Sequence, residues 1–344
     1  MTVITVLAAI LIFSVIIFVH EFGHFITARI FGVTVHEFAI GMGPVLWKKQ
    51  GKNTLYSVRA IPMGGFCQLE GEDEDSQVEG AFRTKKPLPR IIILAAGSVM
   101  NLFLGFLMVF CLVTATTAFQ SKDIAGTVVA EVNPESSASF LQPGDKIVAV
   151  GDYRTHIYRD LNFALSQNGN QETTLTVRRD GTTFTERFQP LEKTMEDGSK
   201  RYLVGFQIAP QKATLGAIFH ESFFETVWMG KMVFLSLGML FRGEAGINDL
   251  AGPVGTVGAM TQVARTGWLE LLFFAAFLAV NIGIMNLLPI PALDGGRILF
   301  VLIELIFRKP IPADKEGWVH FLGFALLILL MLYATYNDIV RLFV

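Results

Sequence analysis

His20-Glu21-Phe22-Gly23-His24 sets two imidazoles four residues apart, with a carboxylate directly after the first. On a helix, residues at i and i+4 share a face, so the two rings converge. HExxH in that arrangement offers a zinc ion two nitrogen ligands and offers a water at the metal a general base. The surroundings are apolar. Val3–Val19 is an almost unbroken hydrophobic run, and Phe22, Phe25 and Ile26 continue it. Histidine and glutamate are costly in such a segment and rarely idle there. These residues point to hydrolysis within or at the edge of a bilayer, with metal at His20 and His24 and Glu21 as the base.

A catalytic zinc of this kind needs a third protein ligand and an open fourth position. Asp294 is the best candidate, in Asn286-Leu287-Leu288-Pro289-Ile290-Pro291-Ala292-Leu293-Asp294-Gly295-Gly296. The prolines end the helix before it, and the glycines permit close backbone approach. A capping aspartate in a surface turn is the ordinary alternative. The unfilled zinc position and the apolar helix directly upstream favour the ligand. His36, His156, His220 and His320 are expected to have surface or interfacial roles. Glu304 is expected in a salt bridge or at headgroup level.

These groups must be carried by membrane helices. The chain has 344 residues, of which 52% are hydrophobic, and its mean hydropathy is +0.49. That is too apolar for an ordinary soluble protein and fits a few spans plus a soluble part. A net charge of −2 gives no basic footprint for nucleic acid. Cys67 and Cys111 lie in unlike contexts without CxxC spacing, so neither a disulfide framework nor a structural zinc site is expected.

Four segments are long and apolar enough to cross: Val3–Ile30, Ile91–Phe119, Leu269–Pro289 and Trp318–Tyr336. The first lacks a basic n-region and a small-residue cleavage site, so it reads as a retained helix. His20 lies roughly 25 Å along it, toward the exit side of the bilayer. The following connection carries Lys48, Lys49, Lys52, Arg59, Arg83, Lys85, Lys86 and Arg90. The positive-inside rule makes it cytoplasmic, with the N-terminus and residues 119–268 outside. In that connection Val45–Lys48 and Thr54–Ile61 read as a hairpin, Pro62–Phe66 as a break, and the acidic run Glu70–Asp75 as a solvated loop.

The outer segment changes character. Gly126–Val132 and Ile147–Val150 read as strands, Asp160–Ser166 as a short helix, and Thr173–Arg179 with Thr182–Phe188 as a hairpin through Asp180-Gly181. Together they make a small α+β module of roughly ninety residues. Thr214–Phe241 follows as an amphipathic stretch carrying Glu221, Glu225 and Lys231, suited to the membrane surface, although a fifth span is possible. The fold class is thus a polytopic α-helical membrane protein of about four transmembrane helices, with a membrane-associated β-hairpin and one inserted extracytoplasmic α+β domain. Residues 1–118 hold the HExxH helix, the hairpin loop and the second helix. Residues 119–212 form the module, 213–268 an amphipathic interfacial region, and 269–344 the C-terminal membrane region.

Taken in order, several segments resemble the site-2 protease family of intramembrane zinc metalloproteases, in its bacterial subgroup with an extracytoplasmic PDZ domain. They are HEFGH at 20–24, Gly41-Met42-Gly43-Pro44, Ile61-Pro62-Met63-Gly64-Gly65-Phe66, Ala96-Gly97-Ser98-Val99-Met100-Asn101 and NLLPIPALDGG at 286–296. Gly126–Asp152 resembles the PDZ segment of these proteases. The subgroup often has two PDZ modules, and this chain has room for one.

The resemblance implies a zinc metalloendopeptidase holding one Zn2+ per chain and residing in the bacterial cell (inner) membrane. It would cleave transmembrane segments of substrates already shortened on their outer side. Partners would be single-span membrane proteins such as anti-sigma factors, or remnant signal peptides, and the lipid bilayer. With four spans the module and both termini are extracytoplasmic, and the active site lies toward the cytoplasmic side. Asn281 and Asn286 match asparagines that the family places near substrate; interhelical hydrogen bonding, worth about 1 kcal/mol each, is the alternative. Gly64, Gly65 and Phe66 are candidate substrate-binding residues, because an extended substrate could add to the hairpin as a strand. A membrane metal transporter or sensor could use the same ligands without hydrolysis, but would not need Glu21. A PDZ scaffold with a structural metal would usually close its site with a fourth protein ligand.

Overall fold

The computed structural model describes residues 3–119, 123–133, 136–194, 200–246, 248 and 251–341. They divide into two compact units, residues 1–108 with 229–344, and residues 109–228.

The first unit begins with helix α1, Val3–Ile30. It is apolar nearly all round, as a lipid-embedded helix must be. Its end is a Schellman turn: Gly32 has φ +67°, Val33 N–H donates to Ala28 O at 2.8 Å and Gly32 N–H to Arg29 O at 3.2 Å.

Strands β1, Val35–Gln50, and β2, Leu55–Leu69, then pair antiparallel. Gly41 and Gly43, at φ +85° and +81°, bend β1. Ile40 consequently pairs with both Val58 and Gly65, and Trp47 pairs with Val58 on the other side. The ladder therefore has four segments, in the order 45–50, 55–61, 35–40, 65–69. The sequence signals mark its outer hairpin. The expected break at Pro62–Phe66 is only a bend, because the first half of β1 supplies a second ladder that carries β2 on to Leu69. Segment 65–69 is an edge with no further strand beside it among the described residues.

Helix α2, Pro87–Phe119, lies against α1 at backbone distance. A Cβ on Gly23 would come within 2.5 Å of Ala96 O. Helices α5 (Pro253–Thr266), α6 (Trp268–Leu287), α7 (Asp294–Phe307) and α8 (Ala313–Arg341) complete the unit. A Cβ on Gly283 of α6 would lie 3.0 Å from Ser98 O of α2. Glu304 is in a buried ion pair with Arg90, at 2.6 Å. Asp338 of α8 accepts the Gly255 N–H at the start of α5, at 2.7 Å.

The second unit holds a six-stranded sheet in the order β10-β3-β4-β6-β7, with β5 on β4. Its strands are β3 (Ile124–Val132), β4 (Lys146–Val150), β5 (Tyr153–Arg154), β6 (Thr173–Arg179), β7 (Thr182–Phe188) and β10 (Phe206–Gln211), with β8 (Leu191–Thr194) and β9 (Lys200–Leu203) pairing separately. Helix α3, Tyr158–Asn168, covers a core of Val129, Ile147, Val150, Leu161, Leu175, Val177 and Phe188. Arg179 grips the buried Asp145 through two 2.7 Å bonds, which holds that carboxyl below its usual range.

Thr214–Phe241 is one helix, α4 (Leu215–Phe241), apolar and long enough to cross a bilayer. Among the described residues five helices thus meet the length and composition of a span, against about four expected. Within the second unit the first half of α4 contacts the module: His156 stacks on Phe224 with ring centroids 4.0 Å apart, and Arg159 pairs with Glu225.

Candidate metal centre

Two elements bring three side chains together. His20 and His24 project from one face of α1, and Asp294 opens α7. His20 Nε2 lies 3.2 Å from His24 Nε2. Asp294 Oδ2 lies 3.1 Å from the first and 3.4 Å from the second. These three form the one cluster of potential metal ligands among the described residues.

The hydrogen bonding around them tests whether a cation fits. His24 Nδ1 is 2.8 Å from Ile93 O, and a carbonyl can only accept. The ring proton of a neutral His24 is therefore on Nδ1, and the Nε2 lone pair faces Asp294. Asp294 Oδ2 is buried without a hydrogen-bond donor of acceptable geometry. Electron pairs converging on one point with no proton between them suit a metal ion. A buried orphan carboxylate oxygen would otherwise be costly. Asn101 of α2 places its amide nitrogen Nδ2 at 3.4 Å from His20 Nδ1. With its amide oxygen turned to the ring it accepts the Nδ1 proton and leaves the Nε2 lone pair for the metal, an outer-shell role typical of histidine ligands.

Glycines make the space. A Cβ on Gly97 would lie 2.4 Å from His24 Nε2 and 2.7 Å from His20 Cε1. A Cβ on Gly65 would lie 3.2 Å from Glu21 Cγ. Edge segment 65–69 therefore passes directly beside the carboxylate that follows His20. A cavity of about 600 Å³ opens here, lined by His20, Glu21, His24, Phe66, Asp294 and Arg297 among others.

Of the residues singled out from sequence, His20, Glu21, His24, Asp294 and Phe66 line this cavity, and a Cβ added to Gly65 would meet Glu21. Gly64, at φ +88°, faces Met42 instead. Asn281 and Asn286 are half-buried on α6 and are not among the lining residues.

The acidic run departs from expectation. Glu72 is drawn into the cavity wall, where Arg297 binds it at 2.6 Å and also binds Asp73 at 2.8 Å. Burial raises the Glu72 carboxyl above its usual range, against the opposing pull of Arg297. Glu70 bonds His36 at 2.5 Å and Ser76 at 2.6 Å. Only Asp73, Glu74 and Asp75 keep the exposure of a solvated loop. Sequence reasoning also passed over Asn101 and Gly97 as site residues. The signals were an amide in an apolar helix, and a glycine four residues before it.

The relatives agree with this chemistry. A Clostridium acetobutylicum protein provisionally named a zinc metalloprotease is 39% identical over 97% of both chains. The Bacillus subtilis protein named Regulator of sigma-W protease RasP is 31% identical over 98% of this chain and 99% of its own. Among solved structures, the PDZ domain of an SdrC-like protein from Listeria monocytogenes aligns with 28% of this chain and 94% of its own, at 12% identity and a TM-score of 0.21. The sequence profile of Peptidase family M50 matches residues 8–330, which includes both histidines, the glutamate and the aspartate. The chain belongs to Peptidase family M50 and is a zinc metalloprotease of the membrane.

Proposed function

We propose that His20, His24 and Asp294 hold the zinc, that Glu21 is the general base and acid, and that the substrate is a transmembrane segment. The convergence of two imidazole nitrogens on a span-length helix with the Asp294 carboxylate, beside Glu21, carries this reading. Zinc, when bound, supplies Lewis-acid activation of the attacking water and of the peptide carbonyl. Glu21 takes a proton from that water and returns it to the departing amine nitrogen. The Ile93 carbonyl holds the His24 ring in the tautomer that would bind metal, and Asn101, once its amide oxygen is turned to the ring, would do the same for His20. Edge segment 65–69, with no further strand beside it among the described residues, offers a strand edge to a substrate that must leave its helical hydrogen bonding to be cut.

The relative named for sigma-W regulation supports membrane-anchored regulators of sigma factors as substrates; remnant signal peptides satisfy the same geometry. The decisive measurement is cleavage of a panel of single-span substrates in detergent, with zinc content read alongside. Glu21→Gln should keep about one zinc per chain and lose turnover, whereas His20→Ala, His24→Ala and Asp294→Ala should lose zinc as well. Wild-type turnover by Glu21→Gln would end this mechanism.

The metal centre also favours one topology. His20 lies late in α1 and Asp294 directly after α6, so the two helices must run the same way through the bilayer for their ends to meet. The basic connection after α1 puts that end in the cytoplasm. Helix α6 must then start outside, where α2 ended. An even number of crossings has to separate them. With 14 residues, α5 rises only about 21 Å, too little for a bilayer core. Helix α4 therefore lies at the outer interface despite its apolarity, in keeping with its contacts to the module. The protein then has four crossings, with the PDZ-like module at 119–212 and both termini extracytoplasmic.

A further inference from the structure

Residues 290–293 form a tight turn, with the Leu293 N–H donating to Ile290 O at 3.2 Å. Pro291 is its second residue, and Ala292, its third, has φ +79°. That is the pattern of a type II turn, which asks for glycine at the third position. Alanine with a positive φ is strained, and such outliers gather at functional sites. An unconstrained Pro-Ala pair would flip its central peptide and relax to type I.

Helix α8 prevents the flip. The Ala292 N–H donates to His320 Nδ1 at 2.9 Å. This bond requires the imidazole to be neutral with its proton on Nε2. The other end of the same peptide meets the same helix. A Cβ on Gly323 would fall 2.7 Å from Pro291 O and 2.4 Å from Pro291 Cβ. One turn of α8 thus accepts the peptide's N–H and leaves room for its carbonyl. Asp294 lies two residues on, fixed by Gly296 and Arg297 donating to Leu293 O at 3.0 and 3.3 Å.

We propose that His320 is a positioning residue that locks the Pro291–Ala292 peptide and thereby sets Asp294 against the two histidines. The proposal rests on Asp294 being a zinc ligand, as read above. Helix α8 supplies no donor atom of its own to the site, yet through this bond it controls the third one.

The test measures zinc affinity by chelator competition on the purified full-length protein in detergent, together with kcat and KM. His320→Ala should weaken zinc binding about 10–100-fold, the range seen for lost outer-shell partners, and lower kcat more than it raises KM. His320→Asn puts an amide oxygen where Nδ1 stood and should stay within about threefold of wild type. Ala292→Gly in the His320→Ala chain should recover most of the loss, because glycine holds φ +79° without help. If the His320→Ala chain does not fold, His320→Gln takes its place, with an amide set beyond reach of Ala292. Asp294→Ala is the control. If it binds zinc as wild type does, the ligand reading falls and the proposal with it. If Asp294→Ala loses zinc while the alanine or glutamine variant keeps it, only the positioning role is overturned. Equal losses for His320→Asn and His320→Ala, or no rescue by Ala292→Gly, would likewise overturn it.

Discussion

At the scale of single residues, the site is made as much by missing side chains as by present ones. Gly97 faces both imidazoles, and a methyl group there would overlap them. Gly97→Ala should therefore push the rings apart and cut zinc affinity at least tenfold, with helix content by circular dichroism unchanged. Wild-type zinc binding in that variant would mean that the rings can yield without cost. His20, Glu21 and Asp294 could be singled out from sequence because a polar group in an apolar run is conspicuous. Gly97 could not, since a glycine in a helix announces neither what it faces nor how closely. Glu72 misled for a related reason. An acidic run reads as solvated until its cation is known, and that cation, Arg297, comes 225 positions later.

At the scale of elements, the hairpin teaches how partial a local pattern can be. Two-residue periodicity marks the strands around Gln50–Thr54, and that much was legible. The second ladder was not, because it pairs residues across a bend that positive-φ glycines create. This makes segment 65–69 the edge proposed for substrate. Proline there removes an N–H from one side of the strand or the other. Among Phe66→Pro, Cys67→Pro and Gln68→Pro, a change that removes an N–H facing the cavity should raise KM several-fold with normal zinc content. The penalty should shrink for a substrate already broken by Gly-Pro near the scissile bond. Equal penalties on intact and broken substrates would show that this edge is structural and does not hold the unwound segment. Helix α4 is the opposite case: its composition satisfies a span, and only the long-range meeting of His20 with Asp294 argues that it does not cross.

At the scale of the whole molecule, the proposed four-crossing topology predicts compartments. In a chain lacking Cys67 and Cys111, cysteines at Gln77, Thr183 and Glu244, all exposed positions, report on three connections. An impermeant thiol reagent applied to intact cells should label Thr183→Cys and Glu244→Cys, and should reach Gln77→Cys only after lysis. Protection of Glu244→Cys in intact cells would mean that α4 crosses. The order of the residues along the chain has a further consequence, which concerns time. From His24 to Asp294 the ribosome must add 270 residues. At roughly 5–20 residues per second that takes on the order of 15–55 seconds. During this interval both histidines have been made, and the proposed third donor does not yet exist. With Asp294 as the proposed third ligand, the protease stays inert through its own synthesis until about six-sevenths of its 344 residues have been made.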